Sequence, residues 1–195
     1  IRLSTTNSCG TVVSPIQNVI VKQPPTDTIN AITDFCGPTS ISPIAVVNGC
    51  APASSTLTYA WSFPGGTPSS STVANPGSIS YSSPGNYTVS LTVTNECGVS
   101  TIATESFAIK DVPVITNTPL NQTICSGSQT TLVNLSSNPA GATYSWTATA
   151  TSGITGFIPS GANTIPIQTI STTSLTSGTV TYAITPSLGG CPGAV

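Results

Sequence analysis

The chain has 195 residues, enough for one large or two small domains, and 37% of them are hydrophobic, which suffices to fill packed cores. Only 4% are charged, with 3 basic against 5 acidic residues and no histidine, so hydroxyl and amide side chains must keep the surface soluble. The net charge of −2 without a basic cluster excludes electrostatic binding of nucleic acid and an electrostatic membrane anchor.

No apolar run approaches the roughly 18 to 20 residues of a membrane-spanning helix, so we expect no membrane insertion in this segment. Ile1 does not begin a basic and then apolar signal segment, and we expect targeting signals to lie outside this stretch. The six cysteines never form paired C-x-x-C motifs and no histidine accompanies them. This pattern argues against zinc and predicts disulfides formed in an oxidising compartment outside the cytoplasm. No cofactor is expected.

The first predicted element is a pair of strands within residues 1–22, and its sequence recurs later in the chain. Residues 1–10 (IRLSTTNSCG) return as residues 89–98 (VSLTVTNECG). The offset of 88 residues that carries Cys9 onto Cys97 also carries Lys22 onto Lys110 and Pro25 onto Pro113. A period of this length indicates a tandem array of domains. We therefore expect residues 1–22 to be the C-terminal strands of a preceding, incomplete repeat in a longer array.

Residues 23–110 form the complete repeat of this prediction. Large apolar side chains alternate with small or polar ones at Leu57, Tyr59, Trp61 and Phe63, and again at Tyr87, Val89, Leu91 and Val93. A period of two predicts strands with one buried face. Turn signals such as Pro64-Gly65-Gly66 and Pro84-Gly85-Asn86 separate the strands, and no window has a helical period.

Residues 111–195 are predicted to be a diverged third copy that lacks its last strand. Ile124-Cys125 corresponds to Phe35-Cys36, and Tyr144-Ser145-Trp146 corresponds to Tyr59-Ala60-Trp61. Prolines at the two joints restrict φ and predict short, stiff connections. The whole pattern predicts an all-β chain of tandem immunoglobulin-like β-sandwiches arranged end to end. Its predicted core residues include Trp61, Tyr87, Trp146 and Tyr182.

Residues 81–95 (YSSPGNYTVSLTVTN), preceded by Trp61-Ser62-Phe63, resemble the PKD (polycystic kidney disease) domain, an immunoglobulin-like sandwich. The first block of that family reads Trp-Asp-Phe-Gly-Asp-Gly, whereas this chain has Trp61-Ser62-Phe63-Pro64-Gly65-Gly66, so both acidic positions are absent. The third copy is similar to PKD-like repeats of very large Bacteroidota surface proteins, which include gliding-motility adhesins exported by the type IX route. The motifs specify architecture more than function.

The resemblance implies a non-catalytic repeat of an extracellular adhesin or filament on a bacterial cell surface, acting as a stalk or spacer in surface adhesion or gliding motility. Expected partners are neighbouring repeats of the same long chain, with surface polysaccharide or other filament copies as further candidates. The alternative is a carbohydrate-binding accessory module of a secreted hydrolase. Phe35, Tyr81 and Phe157 are the aromatic residues that remain for a ligand in that case.

The repeat alignment makes Cys36 and Cys97 the equivalents of Cys125 and Cys191, which favours disulfide pairs 36–97 and 125–191 and leaves Cys50 free. Strand topology in an immunoglobulin-like sandwich leaves open the alternative pair of Cys50 with Cys97, because their loops lie at the same end. Cys9 is expected to have its partner outside the chain.

Candidate sites for chemistry are few. General acid–base catalysis needs two converging groups, and the five carboxylates are Asp27, Asp34, Glu96, Glu105 and Asp111, none of them closely paired. A nucleophile would lack a histidine base, so no enzyme activity is expected. Asp27 and Asp34 form only a weak calcium cluster, although a joint site built on backbone carbonyls stays open. Asp27-Thr28-Ile29 resembles the O-glycosylation motif of Bacteroidota, which makes Thr28 a candidate for modification.

Overall fold

A computed structural model describes residues 2–16, 18, 21–48, 56–119 and 121–195. Within these residues the chain forms 23 strands and no helix, which confirms the all-β prediction. The chain divides into two compact units. The first comprises residues 1–32, 41–79 and 88–105, and the second comprises residues 33–40, 80–87 and 106–195. The division predicted from the repeat, at residues 22/23 and 110/111, stays a prediction.

The first two strands form a hairpin, β1 (Ser4–Asn7) and β2 (Gly10–Val13). They pair antiparallel, with Asn7 opposite Gly10 across the turn. The Asn7 side chain accepts the backbone N–H of Cys9 at 2.9 Å, an arrangement in which asparagine mimics a backbone turn. Every residue of the two strands is exposed.

The next ten strands run from residue 26 to residue 110: β3 (Thr26–Ile29), β4 (Phe35–Cys36), β5 (Thr39–Ile41), β6 (Ala45–Asn48), β7 (Thr58–Ser62), β8 (Ser70–Ser71), β9 (Ile79–Tyr81), β10 (Gly85–Asn95), β11 (Gly98–Val99) and β12 (Ala103–Lys110). Their main sheet has the order β4-β12-β10-β7-β8, and β11 pairs with β10. Two further pairs are β3-β6 and β5-β9. Strand β4 pairs with β12 in parallel, with Cys36 opposite Lys110.

Strand β10 shows how the alternating sequence produces the buried face. Val89, Leu91 and Val93 are fully buried, while Ser90 and Thr92 between them are half-buried, as expected for successive side chains on opposite faces of a sheet. Leu91 lies opposite Trp61 of β7 in the antiparallel register. The other deeply buried apolar residues of this stretch are Ile41, Trp61, Phe63, Ile79, Tyr81, Phe107 and Ile109.

The remaining strands run from residue 114 to residue 192: β13 (Val114–Ile115), β14 (Ser128–Gln129), β15 (Val133–Asn134), β16 (Ser137–Asn138), β17 (Thr143–Ala150), β18 (Ile154–Thr155), β19 (Ser160–Ala162), β20 (Thr164–Ile165), β21 (Thr169–Thr172), β22 (Val180–Leu188) and β23 (Cys191–Pro192). The largest sheet has the order β19-β17-β22-β23. Smaller sheets are β14-β21-β18, β15-β20 and β13-β16.

A small hydrophobic cluster lies between these later strands. Its buried members are Trp146, Ala148 and Ile165. Half-buried side chains pack against them, namely Val133, Leu135, Phe157, Val180, Tyr182 and Ile184. Trp146 of β17 lies opposite Ile184 of β22, the same pairing that Trp61 and Leu91 make between β7 and β10.

Candidate functional site

The two tryptophans occupy matching, buried positions. Trp61 and Trp146 each expose 3% of their surface. Each indole also donates one hydrogen bond to a backbone carbonyl, Trp61 to Val73 and Trp146 to Thr164, both at 3.1 Å. A buried indole N–H needs such a partner, so both rings are fixed as packing elements and neither presents a face to a ligand.

The two predicted core tyrosines are half-buried. The Tyr87 ring stacks on Phe107 with centroids 5.7 Å apart, and its hydroxyl donates to the Ser83 carbonyl at 2.8 Å. A tyrosine bonded to the backbone a few residues upstream is typical of immunoglobulin-like sandwiches. The Tyr182 ring makes an edge contact with Trp146, and its hydroxyl accepts a hydrogen bond from the Gln168 amide.

The three aromatic residues predicted to be available to a ligand are not exposed. Tyr81 exposes only 1% of its surface, so the expectation that a ligand can use it is wrong. It packs between Tyr87 and Phe107, and burial raises the pKa of its hydroxyl. Phe35 is half-buried with its ring edge against Phe107, and Phe157 is half-buried against the cluster around Trp146.

The same holds for every aromatic side chain of the protein. The two tryptophans, five tyrosines and four phenylalanines all lie in the described part of the chain, and each is buried or half-buried. Carbohydrate-binding platforms need exposed aromatic faces on which a sugar ring can stack, since the amphipathic ring supplies most of the contact area. The described surface has no such platform.

The carboxylates make separate contacts. Asp34 accepts the Ala108 backbone N–H at 2.9 Å and lies 3.3 Å from the Lys110 ammonium, and these two donors lower the pKa of Asp34. Glu96 forms an ion pair with Lys22. Glu105 accepts the backbone N–H of Ile32 at 3.2 Å.

Asp27 is the one buried carboxylate of the described residues. It exposes 8% of its surface on β3, and neither carboxylate oxygen has a hydrogen-bond partner among the described residues. Asp34, its predicted companion in a calcium cluster, is engaged by Ala108 and Lys110. Across the described ranges, no three His, Cys, Asp or Glu side chains gather into a metal-binding group.

The glycosylation candidate Thr28 is exposed on β3, where it pairs with Val46. Its neighbours in the motif differ, since Asp27 is buried and Ile29 is half-buried. A sugar on the Thr28 hydroxyl would reach solvent, and its modification stays a prediction.

The structure forms one disulfide that the sequence analysis did not predict. Cys36 is bonded to Cys191 across 155 residues, and both belong to the second compact unit. Cys97 and Cys125 are exposed free thiols. The predicted pairs 36–97 and 125–191 are therefore wrong, and the alternative partner of Cys97, Cys50, lies outside the described residues.

The reason for the failed 36–97 pair lies in strand β12. Cys97 precedes the start of this strand, whereas Cys36 lies opposite its last residue, Lys110. Eight residues of strand cover about 26 Å, while a disulfide requires Cα atoms about 4.4 to 6.8 Å apart. The repeat alignment treats these cysteines as equivalent positions, but equivalence does not say whether a bond closes within a repeat or beyond it.

Cysteines lie in two kinds of turn. We call residues 95–98 and 188–191 the leading turns, because the turn itself or the residues directly after it contact the segment that leads into the same repeat. In the first, the Asn95 amide donates to the Gln23 carbonyl at 2.9 Å. In the second, a side-chain carbon placed on Gly193, two residues beyond the turn, would lie 1.9 Å from the Pro113 carbonyl oxygen, so backbone packs on backbone there.

We call residues 36–39 and 125–128 the trailing turns. Each begins with a cysteine and ends at the first residue of an equivalent strand, β5 or β14. Those strands pair with β9 and β21 respectively. In the first trailing turn, Gly37 donates its N–H to the Lys110 carbonyl at 2.9 Å, and a side-chain carbon on Gly37 would lie 3.2 Å from Val112. This turn therefore lies beside the segment that leaves its repeat.

The all-β strands, the paired tryptophans and the tyrosine bonded upstream define a class of protein, the tandem immunoglobulin-like β-sandwich. Residues 24–110 match the family model for the PKD domain, and residues 122–195 match the model for the PKD-like domain. Together the two matches cover well over half of the chain. The protein therefore belongs to the PKD family and carries two of its domains in tandem.

PKD domains are typically non-catalytic structural modules and are usually extracellular. The described residues contain no helix that is long and apolar enough to cross a membrane. A search of the curated proteins finds no match to this chain.

Proposed function

We propose that this chain is a spacer segment in the stalk of an extracellular adhesin or filament on a bacterial cell surface, of the kind that serves surface adhesion or gliding motility and is exported by the type IX route. Its partners in this role are the neighbouring repeats of the same chain. The segment transmits force and holds a distal part of the protein away from the cell.

The observation that carries the proposal is that none of the eleven aromatic side chains is exposed, since six are buried and five are half-buried. A binding module keeps some of its aromatic rings at the surface, because they give the most contact area for the least entropy lost on binding. Here every ring packs inside a sandwich or against its edge. The exposed surface instead carries serine and threonine side chains together with scattered aliphatic residues such as Val21 and Leu175, none of which offers an aromatic face to a ligand.

The charged groups support the same function. Both lysines are engaged in ion pairs with acidic groups, Lys22 with Glu96 and Lys110 with Asp34. Lys22 and Lys110 are equivalent positions in the repeat and lie close to the two proline joints. Four of the eight charged side chains thus neutralise one another near the joints.

Stretching single molecules in reducing buffer tests the proposal. A spacer of independent sandwiches yields two separate unfolding events of about 30 nm and 26 nm, the extended lengths of the two matched segments at about 3.5 Å per residue. A single event for the whole chain would contradict independent repeats. Binding to a glycan array that disappears in Phe35→Ala would contradict the spacer and favour the carbohydrate-binding alternative.

A further inference from the structure

The disulfide joins two kinds of turn that recur from one repeat to the next. Cys36 belongs to the trailing turn of the first matched domain, and Cys191 belongs to the leading turn of the second. The bond therefore connects a trailing turn with the leading turn of the next repeat along the chain. The inference below rests on the tandem array in the proposed function.

The segment that each kind of turn lies beside explains this connection. A trailing turn lies beside the segment that leaves its repeat, as Cys36 and Gly37 do beside Lys110. A leading turn lies beside the segment that enters its repeat, as Gly193, two residues after Cys191, lies beside Pro113. Lys110 and Pro113 are only three positions apart, so a continuous chain delivers one cysteine to the other.

Cys97 has the surroundings of a leading-turn cysteine. Its backbone N–H donates to the Asn95 side chain at 2.8 Å, as the Cys9 N–H does to Asn7 at 2.9 Å. A side-chain carbon on Gly98 would lie 3.5 Å from the Pro24 ring, which places the turn against the proline joint before its repeat. The Cys97 thiol is exposed and free.

Cys125 has the surroundings of a trailing-turn cysteine. It lies three residues before β14, as Cys36 lies three residues before β5. The turn that follows each cysteine contains a glycine at positive φ, Gly37 at 70° and Gly127 at 85°, a conformation that only glycine adopts without strain. The Cys125 thiol is also exposed and free.

We propose that Cys97 and Cys125 are the two unjoined halves of the same interdomain bond, so that each joint of the array is closed by a disulfide from a trailing turn to the next leading turn. The partner of Cys97 is the trailing cysteine of a PKD repeat before it. The partner of Cys125 is the leading cysteine of a PKD repeat after it. Cys9 is a further leading-turn cysteine of the same kind.

One detail differs between the leading turns. Cys97 is the third residue of Asn95-Glu96-Cys97-Gly98, whereas Cys191 takes the fourth position, opposite Leu188. The turn before Cys191 consists of Gly189 and Gly190 at φ values of 57° and 87°, which suits a two-residue hairpin. The cysteine is thus displaced by one residue along the hairpin, about 3.3 Å.

The bond forms by thiol–disulfide exchange with a small disulfide such as oxidised glutathione. The Cys125 thiolate attacks one sulfur of the oxidant, expels one glutathione thiol and leaves a mixed disulfide. The leading-turn thiolate then attacks the Cys125 sulfur and expels the second glutathione thiol. The two protein thiols lose two electrons and two protons, and oxidised glutathione gains both to become two thiols.

A closed series of such bonds limits how far the array extends. Cys97 and Cys125 both lie inside the loop from Cys36 to Cys191, so consecutive loops overlap. Force then passes through each disulfide and along the backbone from Cys97 to Cys125, which are 28 positions apart. The remaining residues of each repeat are shielded from extension even when the sandwich unfolds.

The experiment uses the 195-residue chain with Cys50→Ser, at high protein concentration in a glutathione redox buffer. A second copy of the chain supplies the partner repeat. Isotope-labelled and unlabelled copies are mixed, oligomers are separated without reductant, and the linked peptides are mapped by mass spectrometry. The expected product joins Cys125 of one copy to Cys97 or Cys9 of another, and Cys125→Ser abolishes the oligomers.

Three results would overturn the proposal: bonds mainly between like turns, such as Cys125 with Cys125; a Cys97–Cys125 bond within a single copy; or the absence of any bond between copies. Cys9→Ser with Cys97→Ser serves as the matched control, because removing both leading-turn thiols must also abolish the oligomers. Any of the contrary results would rule out the proposed bonds of Cys97 and Cys125. If stretching still gave two unfolding events, the proposed spacer function would stand.

Discussion

The two PKD domains both pair the strand that carries the tryptophan with a strand on either side, β7 with β8 and β10, and β17 with β19 and β22, but they bury very different amounts of apolar surface. In the stretch that matches the first domain, Phe63, Ile79, Val89, Leu91 and Val93 are completely buried. The cluster of the second has three buried members, of which two are alanine and isoleucine at 7% exposure. The second domain also carries Cys191, buried at 1% in its disulfide. In the second domain, a small core and a disulfide together supply the stability that the first domain obtains from its large core.

The largest effect is expected from breaking the disulfide. By the chain-entropy argument, a loop of 155 residues stabilises by about 5 kcal/mol at most. Cys36→Ser and Cys191→Ser should lower the midpoint of urea unfolding by the same amount, mainly in the transition of the second domain. Cys125→Ser is the matched control and should leave the midpoint unchanged. A wild-type midpoint that does not respond to reductant would show that the bond contributes no stability.

The next effect compares equivalent core positions. Leu91 and Ile184 each lie opposite the tryptophan of their domain, but Leu91 is fully buried and Ile184 is half-buried. We expect Leu91→Ala to cost about 4 kcal/mol and Ile184→Ala about 2 kcal/mol, because the fully buried site leaves the larger cavity. Urea unfolding measures both costs. Equal costs, or a larger cost at Ile184, would contradict the difference in packing.

A smaller effect is expected at the tyrosine of β10. Tyr87→Phe removes the hydrogen bond to the Ser83 carbonyl and should cost about 1 kcal/mol. Tyr59→Phe is the control, because the Tyr59 hydroxyl has no hydrogen bond to any described residue. Thermal unfolding of the two variants gives the comparison. Equal melting temperatures would mean that the hydrogen bond to Ser83 contributes no net stability.

The smallest effect is a dependence on pH at Asp34. The Ala108 N–H and Lys110 lower the pKa of Asp34 in the folded chain below its ordinary value of 3.8. Stability from these contacts is therefore present above pH 3.8 and is lost as the pH falls through the folded pKa. Asp34→Asn should flatten the stability curve slightly below pH 4, with Asp111→Asn, a second exposed carboxylate, as the control. An unchanged curve in Asp34→Asn would assign the acid sensitivity to other groups.

The sequence predicted the parts of the fold that depend on long alternating strands. The patterns around Trp61 and Leu91 became neighbouring strands with the tryptophan opposite the leucine, because a period of two fixes which face of a strand is buried. Tyr81 was misjudged because Ile79-Ser80-Tyr81 is a strand of only three residues. So short a stretch carries too little periodicity to reveal its buried face.

The disulfide was missed for a different reason. The alignment assigned Cys36 and Cys191 to repeat positions, but the sequence of a repeat looks the same whether a bond closes inside one copy or reaches into the next. The sequence does not show which segment each turn lies beside. In the structure, Cys36 lies beside Lys110, and Gly193, just after Cys191, lies beside Pro113. Those contacts join residues far apart in sequence and follow from tertiary packing.

The central claim is that the disulfide connects the two PKD domains, and peptide mapping tests it directly. Free thiols of the 195-residue chain, kept dilute so that no bond forms between copies, are alkylated, the unreduced protein is digested, and the linked peptides are identified by mass spectrometry. The account predicts a Cys36–Cys191 linkage with Cys97 and Cys125 alkylated. Linkages of Cys36 with Cys97 and of Cys125 with Cys191 would place each bond inside its own domain and contradict the account.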